Sequence, residues 1–117
     1  MLRRTRERKL RQLQVVEWWR ARAALNERLA EITDELSEDS PPEDFARAID
    51  EIRRLEPLFR DAPDPELDRL NRMRRDLLVE AFTIAQRGEM DAAAELLDQV
   101  AVVTDAAVAR LEQIFSE

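Results

Sequence analysis

Cysteine, histidine and tyrosine are absent from this chain of 117 residues, and glycine occurs once, at Gly88. Without cysteine there is no disulfide framework and no thiolate nucleophile, a composition expected of a cytoplasmic protein. Without histidine the usual general base at neutral pH is missing, and with both types gone so are the common nitrogen and sulfur metal ligands. One glycine cannot build a phosphate-cradling GxGxxG or GxxxxGKS loop. Catalysis would have to rest on carboxylates, with Mg²⁺ or Mn²⁺ as partner. No apolar run approaches the roughly 18 residues of a membrane span, and no apolar h-region follows the polar N-terminus, so neither a membrane anchor nor a secretory signal is expected.

What is abundant is charge. Charged residues make up 38% of the chain and the formal charge is −7. The cations are arginines except for Lys9; with abundant alanine, this bias suggests a GC-rich bacterial genome or a phage of such a host. Charge is also unevenly placed. Arg3, Arg4, Arg6, Arg8, Lys9 and Arg11 face only Glu7, so six cations against one acid give +5 and leave −12 for the remainder of a chain of charge −7. Residues 1–12 therefore read as a basic N-terminal extension and 13–117 as one helical domain, although helical propensity is high enough for helix 1 to continue back into the extension.

Apolar spacing predicts an all-α fold of four helices. In the first, Trp18, Ala21, Leu25, Leu29, Ile32 and Leu36 follow three- and four-residue steps between about Leu10 and Leu36. Ser40-Pro41-Pro42-Glu43 resembles a capping box with Ser40 as N-cap, opening a helix whose stripe is Phe45, Ala48, Ile49, Ile52, Leu55 and Phe59 and which Pro57 ends. Asp64-Pro65-Glu66 caps the third, with Leu67, Leu70, Met73, Leu77, Ala81 and Ile84 inward. Gly88 stops it in the left-handed C′ conformation, with Arg87 set toward the helix dipole. The fourth begins at Met90-Asp91 and carries two apolar lines, one through Leu97, Val100, Val108 and Leu111, the other through Leu96, Val103, Ala107 and Ile114. So broad a face predicts the most buried helix of the set. The expected arrangement is up-down, two αα-hairpins with a long first helix; a weak echo at an offset of 45 (Phe45, Ala48, Ile52 and Leu55 against Met90, Ala93, Leu97 and Val100) fits two related halves.

The stretch from Ala81 to Val100, turning at Gly88-Glu89-Met90-Asp91, resembles one tetratricopeptide hairpin. It departs from that pattern at Glu80, where the repeat has leucine, and in a fourth helix about twice the repeat's length. No peptide-binding residues carry over. Four carboxylates form the one metal-site pattern: Asp76 and Glu80 at i, i+4, and Glu95 and Asp98 at i, i+3. Across an antiparallel hairpin they would be similar to the ExxD helix of all-α nucleotide pyrophosphatases, whose paired-glutamate half is missing. No metal site and no cofactor are expected, these four being the weak candidates.

Trp18 and Trp19 are the residues singled out for contact. Neighbours on a helix point about 100° apart, so both are buried only if the helix is covered on a wide arc. Helix 1 is ~40 Å long from Leu10 to Leu36, whereas helix 2 before Pro57 is only ~20 Å. The second helix shields the first back to about Leu25 and leaves Leu13, Val15, Val16, Trp18 and Trp19 to helices 3 and 4 or to another chain. The expected function is that of a helical interaction or adaptor protein, without enzymatic activity, which forms a homodimer or docks on a protein partner through these five residues. Arg3, Arg4, Arg6, Arg8, Lys9 and Arg11 are the candidates for contact with an acidic protein surface or with phosphates, the latter making a nucleic-acid-associated protein the alternative. With no interleaved aromatics, sequence-specific DNA reading is not expected. No membrane partner is expected.

Overall fold

A computed structural model describes residues 2–116. The chain is all-α: α1 spans Leu2–Asp34, α2 Pro42–Leu55, α3 Pro65–Gln86 and α4 Met90–Ser116, with one 3₁₀ turn at Glu56–Leu58 between α2 and α3. The basic segment belongs to α1, whose helix begins well before Leu10. Its residues are strong helix formers, and Arg3 pairs with Glu7 one turn on at 3.3 Å.

Each break follows from local chemistry. Ser40 is not the N-cap of α2. The residue before a proline is pushed out of the helical region, so Pro41, ahead of Pro42, is the extended N-cap (φ −68°, ψ 157°) and receives no side-chain cap. Ser40 Oγ instead accepts from the Ser37 amide at 2.9 Å and closes the preceding turn. Pro57 has no amide proton to extend α2, and the chain tightens into the 3₁₀ turn, where the Phe59 amide donates to Glu56 O at 3.0 Å. Asp64 caps α3, its Oδ2 accepting from the Leu67 amide at 3.0 Å, with Pro65 at the first helical position. Gly88 has φ +85°. Its amide donates to Ala85 O at 2.9 Å and that of Glu89 to Ile84 O at 3.3 Å, the paired bonds of a Schellman turn.

The closest packing joins α3 to α4, and α2 lies against α3. The backbone of α1 stands off from α3 and α4, and long side chains bridge the gap. It runs alongside α3 and opposite to α4: Asn26 bonds Arg74, and Gln12 near the start of α1 bonds Ile114 near the end of α4. The molecule is a rod of 57 × 24 × 18 Å. Its radius of gyration is 16.5 Å, compared with about 13 Å for a compact domain of this size.

Two apolar clusters hold the rod together. The larger gathers Leu29, Ile32, Phe45, Ile49, Ile52, Leu78 and Phe82; the smaller consists of Val15, Trp18, Leu67 and Ile114. Between them lies a polar layer of Arg22, Asn26 and Asn71. Two expectations are corrected here. Ala21 is exposed, and the buried stripe of α1 passes through Arg22 instead. The most buried helix is α3, because it is sandwiched: besides the arc with Leu67, Leu70 and Ala81, it buries Asn71, Leu78, Phe82 and Ala85 toward α1 and α2, while Met73 of the expected stripe is partly exposed. α4 is packed on one side only and fully buries just Ala93, Val103 and Ile114, so Val108 stays in solvent.

Candidate interaction surface

The 33 residues of α1 form a rod about 50 Å long, and the 14 of α2 one of about 21 Å. The unshielded length is covered in part by the start of α3 and the end of α4. That cover divides the five expected contact residues. Val15 is fully buried and Trp18 is 8% exposed, both packed with Leu67 and Ile114 in the smaller cluster. The Trp18 indole Nε1 donates to Arg60 O at 3.1 Å, which fixes its polar edge. These two side chains are core, because one flank of α1 meets the rest of the chain there. Leu13 at 61% and Trp19 at 43% are exposed, and Val16 is half-buried. Trp19 leans on Trp18 with ring centroids 6.2 Å apart and planes tilted by 57°.

Two residues outside that set belong with them. Leu10 lies three positions before Leu13 and is 56% exposed. Phe115 in the last turn of α4 is also exposed. Gln12 Nε2 donates to Ile114 O at 3.0 Å, so the flank of α1 that carries Gln12, Val16 and Trp19 faces the α4 terminus. Val108, Leu111 and Phe115 follow three- and four-residue steps along α4 and supply the opposing flank. Helix register thus sets Val16 and Trp19 on the flank facing Val108, Leu111 and Phe115, while Leu13 and Leu10 lie about 120° and 180° around α1 from Trp19. Phe115 was overlooked because it lies on neither apolar line assigned to α4.

The basic side chains of Arg3, Arg4, Arg6, Arg8, Lys9 and Arg11 occupy the first three turns of α1 and are exposed. At the other end of the rod stand Glu31, Asp34, Glu35, Glu38, Asp39 and Glu43, also exposed. Arg28 is held there by Glu51, with Nε–Oε1 at 2.6 Å and Nη2–Oε2 at 2.9 Å, and also reaches Glu31 and Glu35. These bonds raise the Arg28 pKa and lower that of Glu51. Asp76, Glu80, Glu95 and Asp98 are all exposed on outward flanks of α3 and α4, and among the described residues no group of three or more acids is placed to hold a metal ion.

The polar layer has unusual electrostatics. Arg22 is only 4% exposed, its guanidinium 4.5 Å from the Trp18 ring centroid and 4.9 Å from that of Phe59. Arg75 covers Phe59 at 4.6 Å. A single neutral oxygen, Asn26 Oδ1, accepts from Arg74 Nη2 at 2.8 Å and from Arg22 Nη2 at 3.4 Å. Arg22 Nε is buried without a partner. Burial, then the proximity of Arg74 and Arg75, lowers the Arg22 pKa to about 10, and burial lowers those of Arg74 and Arg75 as well.

No family model matches the chain, and no curated protein or solved structure matches it significantly. The fold class is an all-α bundle of four helices. None of its described helices is long and apolar enough to cross a membrane.

Proposed function

We propose that this chain is a helical interaction module, an adaptor or regulatory protein without catalytic activity, that self-associates through the N-terminal half of α1 and the end of α4. The single observation that supports this reading is the exposure of Leu10, Leu13 and Trp19 along α1 up to its midpoint, together with Phe115 in the last turn of α4. Isolated exposed aliphatics such as Leu10, on the face of α1 opposite Trp19, are ordinary, but an exposed tryptophan on α1 and an exposed phenylalanine on the neighbouring flank of α4 resemble the aromatic centre of an interface. Trp19 is the anchor, since indole combines large area with few rotatable bonds.

Charge favours a second copy as the occupant. Two α1 helices laid antiparallel and centred near Trp19 would set Arg3 to Arg8 of one beside Glu31, Asp34 and Glu35 of the other, and the twofold axis would repeat the attraction. Light scattering over a concentration series tests this: the wild type should show a dimer that dissociates on dilution, and Leu13→Glu with Trp19→Glu should be monomeric with unchanged helical content. A wild type that is monomeric at every concentration would remove the self-association reading.

The exposed cations of Arg3 to Arg11 favour a second reading, a nucleic-acid-associated role through the N-terminal turns of α1. It requires binding to duplex or single-stranded nucleic acid that weakens steeply with salt; no binding at low salt would eliminate it.

A further inference from the structure

The most buried arginine of the described residues, Arg22, has no carboxylate partner, while several more accessible ones do. Arg28, Arg47, Arg69, Arg72 and Arg110, all more accessible to solvent than Arg22, are each paired with a carboxylate. Arg22, Arg74 and Arg75, gathered in the polar layer, have no carboxylate within 4.0 Å among the described residues. Water screens an exposed cation, whereas a buried one without an anion bears the full desolvation penalty. Asp68, the acid whose charge acts on Arg22, is committed elsewhere: its oxygens accept from Arg72 Nε at 2.9 Å and from the Ala62 amide at 3.0 Å, while Glu56 and Asp76 act on Arg75 only from beyond 4.0 Å. The cluster is left with aromatic faces, one amide oxygen and an orphan N–H.

Arg22 lines a groove of about 770 Å³ between α1 and the 58–63 segment. That size is within the range of small-molecule sites. Leu25, Leu58 and the edge of Trp18 give it an apolar wall, and Leu58 is exposed there although nothing in its turn requires an apolar residue. Glu17, Asp61 and Arg60 also line it, and Asp61 is paired with Arg72, so the rim carries mixed charge and the buried Arg22 is the one cation at the back. A buried cation behind an apolar wall describes a receptor for an anion with an apolar body, one whose hydrocarbon part takes up the wall.

We propose that this groove binds a small monocarboxylic acid, its carboxylate drawn to the Arg22 guanidinium and its hydrocarbon part laid along Leu25, Leu58 and Trp18. Arg74 and Arg75 do not touch the ligand; they stand behind Arg22 and add positive potential. The site is separate from the aromatic part of the proposed association surface, since Val16 and Trp19 lie on the other flank of α1 from Glu17 and Ala21.

The test uses the full chain carrying Trp19→Phe, so that Trp18 is the sole indole reporter, at constant ionic strength. Octanoate is titrated, with octanol and inorganic phosphate as the arms that keep only the apolar body or only the anion. The expected result is a saturable change in Trp18 emission with octanoate, at least about tenfold tighter than with either control. Asn26→Asp, which supplies an internal carboxylate between Arg22 and Arg74, should weaken octanoate by about tenfold or more while the protein becomes more heat-stable. Arg22→Gln, checked for folding by circular dichroism, should lose the response. Three results would overturn the proposal: no saturable change with octanoate, equal affinity for octanol, or a response that survives both substitutions. Solution mass measured on the wild type, which keeps Trp19, separates this outcome from the fate of the self-association reading.

Discussion

Asp64 and Arg110, 46 residues apart in sequence, form a two-pronged ion pair, Oδ1 to Nη2 at 2.7 Å and Oδ2 to Nε at 2.9 Å. The same carboxylate caps α3, so one buried side chain both starts a helix and fastens α4 to it. Asp64→Ala should therefore lose a cap worth about 1 kcal/mol together with its two-pronged ion pair to Arg110, for a total near 3 kcal/mol. A thermal melt followed by circular dichroism should show a fall of about 10 °C.

Acid should reach the same contact. The Arg110 guanidinium, reinforced by the Leu67 amide, holds the Asp64 carboxyl below its ordinary value of 3.8. A depressed carboxyl contributes stability that is fully present above the unfolded value and is lost as pH falls through the folded one. The difference in melting temperature between wild type and Asp64→Asn should be constant at neutral pH and should shrink on acidification below about pH 4. A difference that widens in acid would contradict the assignment.

The two tryptophans should respond oppositely. Trp18→Ala removes a core ring, its bond to Arg60 O and the face under Arg22, and should cost about 3–5 kcal/mol. Trp19→Ala should change stability of the monomer by less than about 1 kcal/mol and act on association instead. Urea titrations of a dilute, monomeric sample with parallel mass measurement separate the two effects.

Asn26→Asp should stabilise the fold. It places a negative charge on the oxygen position that already receives two guanidinium groups, turning neutral bonds into charge-assisted ones worth about 1 kcal/mol more. The melting temperature should rise by about 4 °C. A fall would mean that the polar layer tolerates only a neutral acceptor.

Gly88→Ala isolates backbone cost. A Cβ at Gly88 would meet nothing within 4 Å, so the φ of +85° is the sole obstacle. The expected loss is about 1 kcal/mol, read from the urea midpoint without change in its slope.

The sequence made the helices legible wherever the punctuation was strong. Asp64-Pro65, Pro57 and Gly88 each act on their own backbone, and those boundaries fell where expected. Ser40 misled because the two prolines after it override its capping preference, an effect of neighbours rather than of the residue itself. Burial was read less well. Periodicity reports that a helix has an apolar arc but not how many neighbours will cover it, so α4 was overrated and the second arc of α3, with Asn71, Leu78, Phe82 and Ala85, was missed. The length mismatch between α1 and α2 was legible, since α2 is the shorter helix, yet spacing alone could not divide the buried Val15 and Trp18 from the exposed Leu13 and Trp19. Arg22 carried a usable signal. It sits four residues after Trp18 and three before Leu25, squarely on the apolar stripe. Charge made it easy to replace with Ala21.

The rod also has a polarity in the electrical sense. Cations crowd its first three turns and acids its far tip, so the molecule carries a large permanent dipole along its long axis. In the field of any strongly charged surface it must swing before it arrives, and an anionic surface will always meet Arg3 to Arg11 first. Salt weakens that torque long before it weakens the packing inside, so how the protein approaches another body is set by the medium while its shape is not.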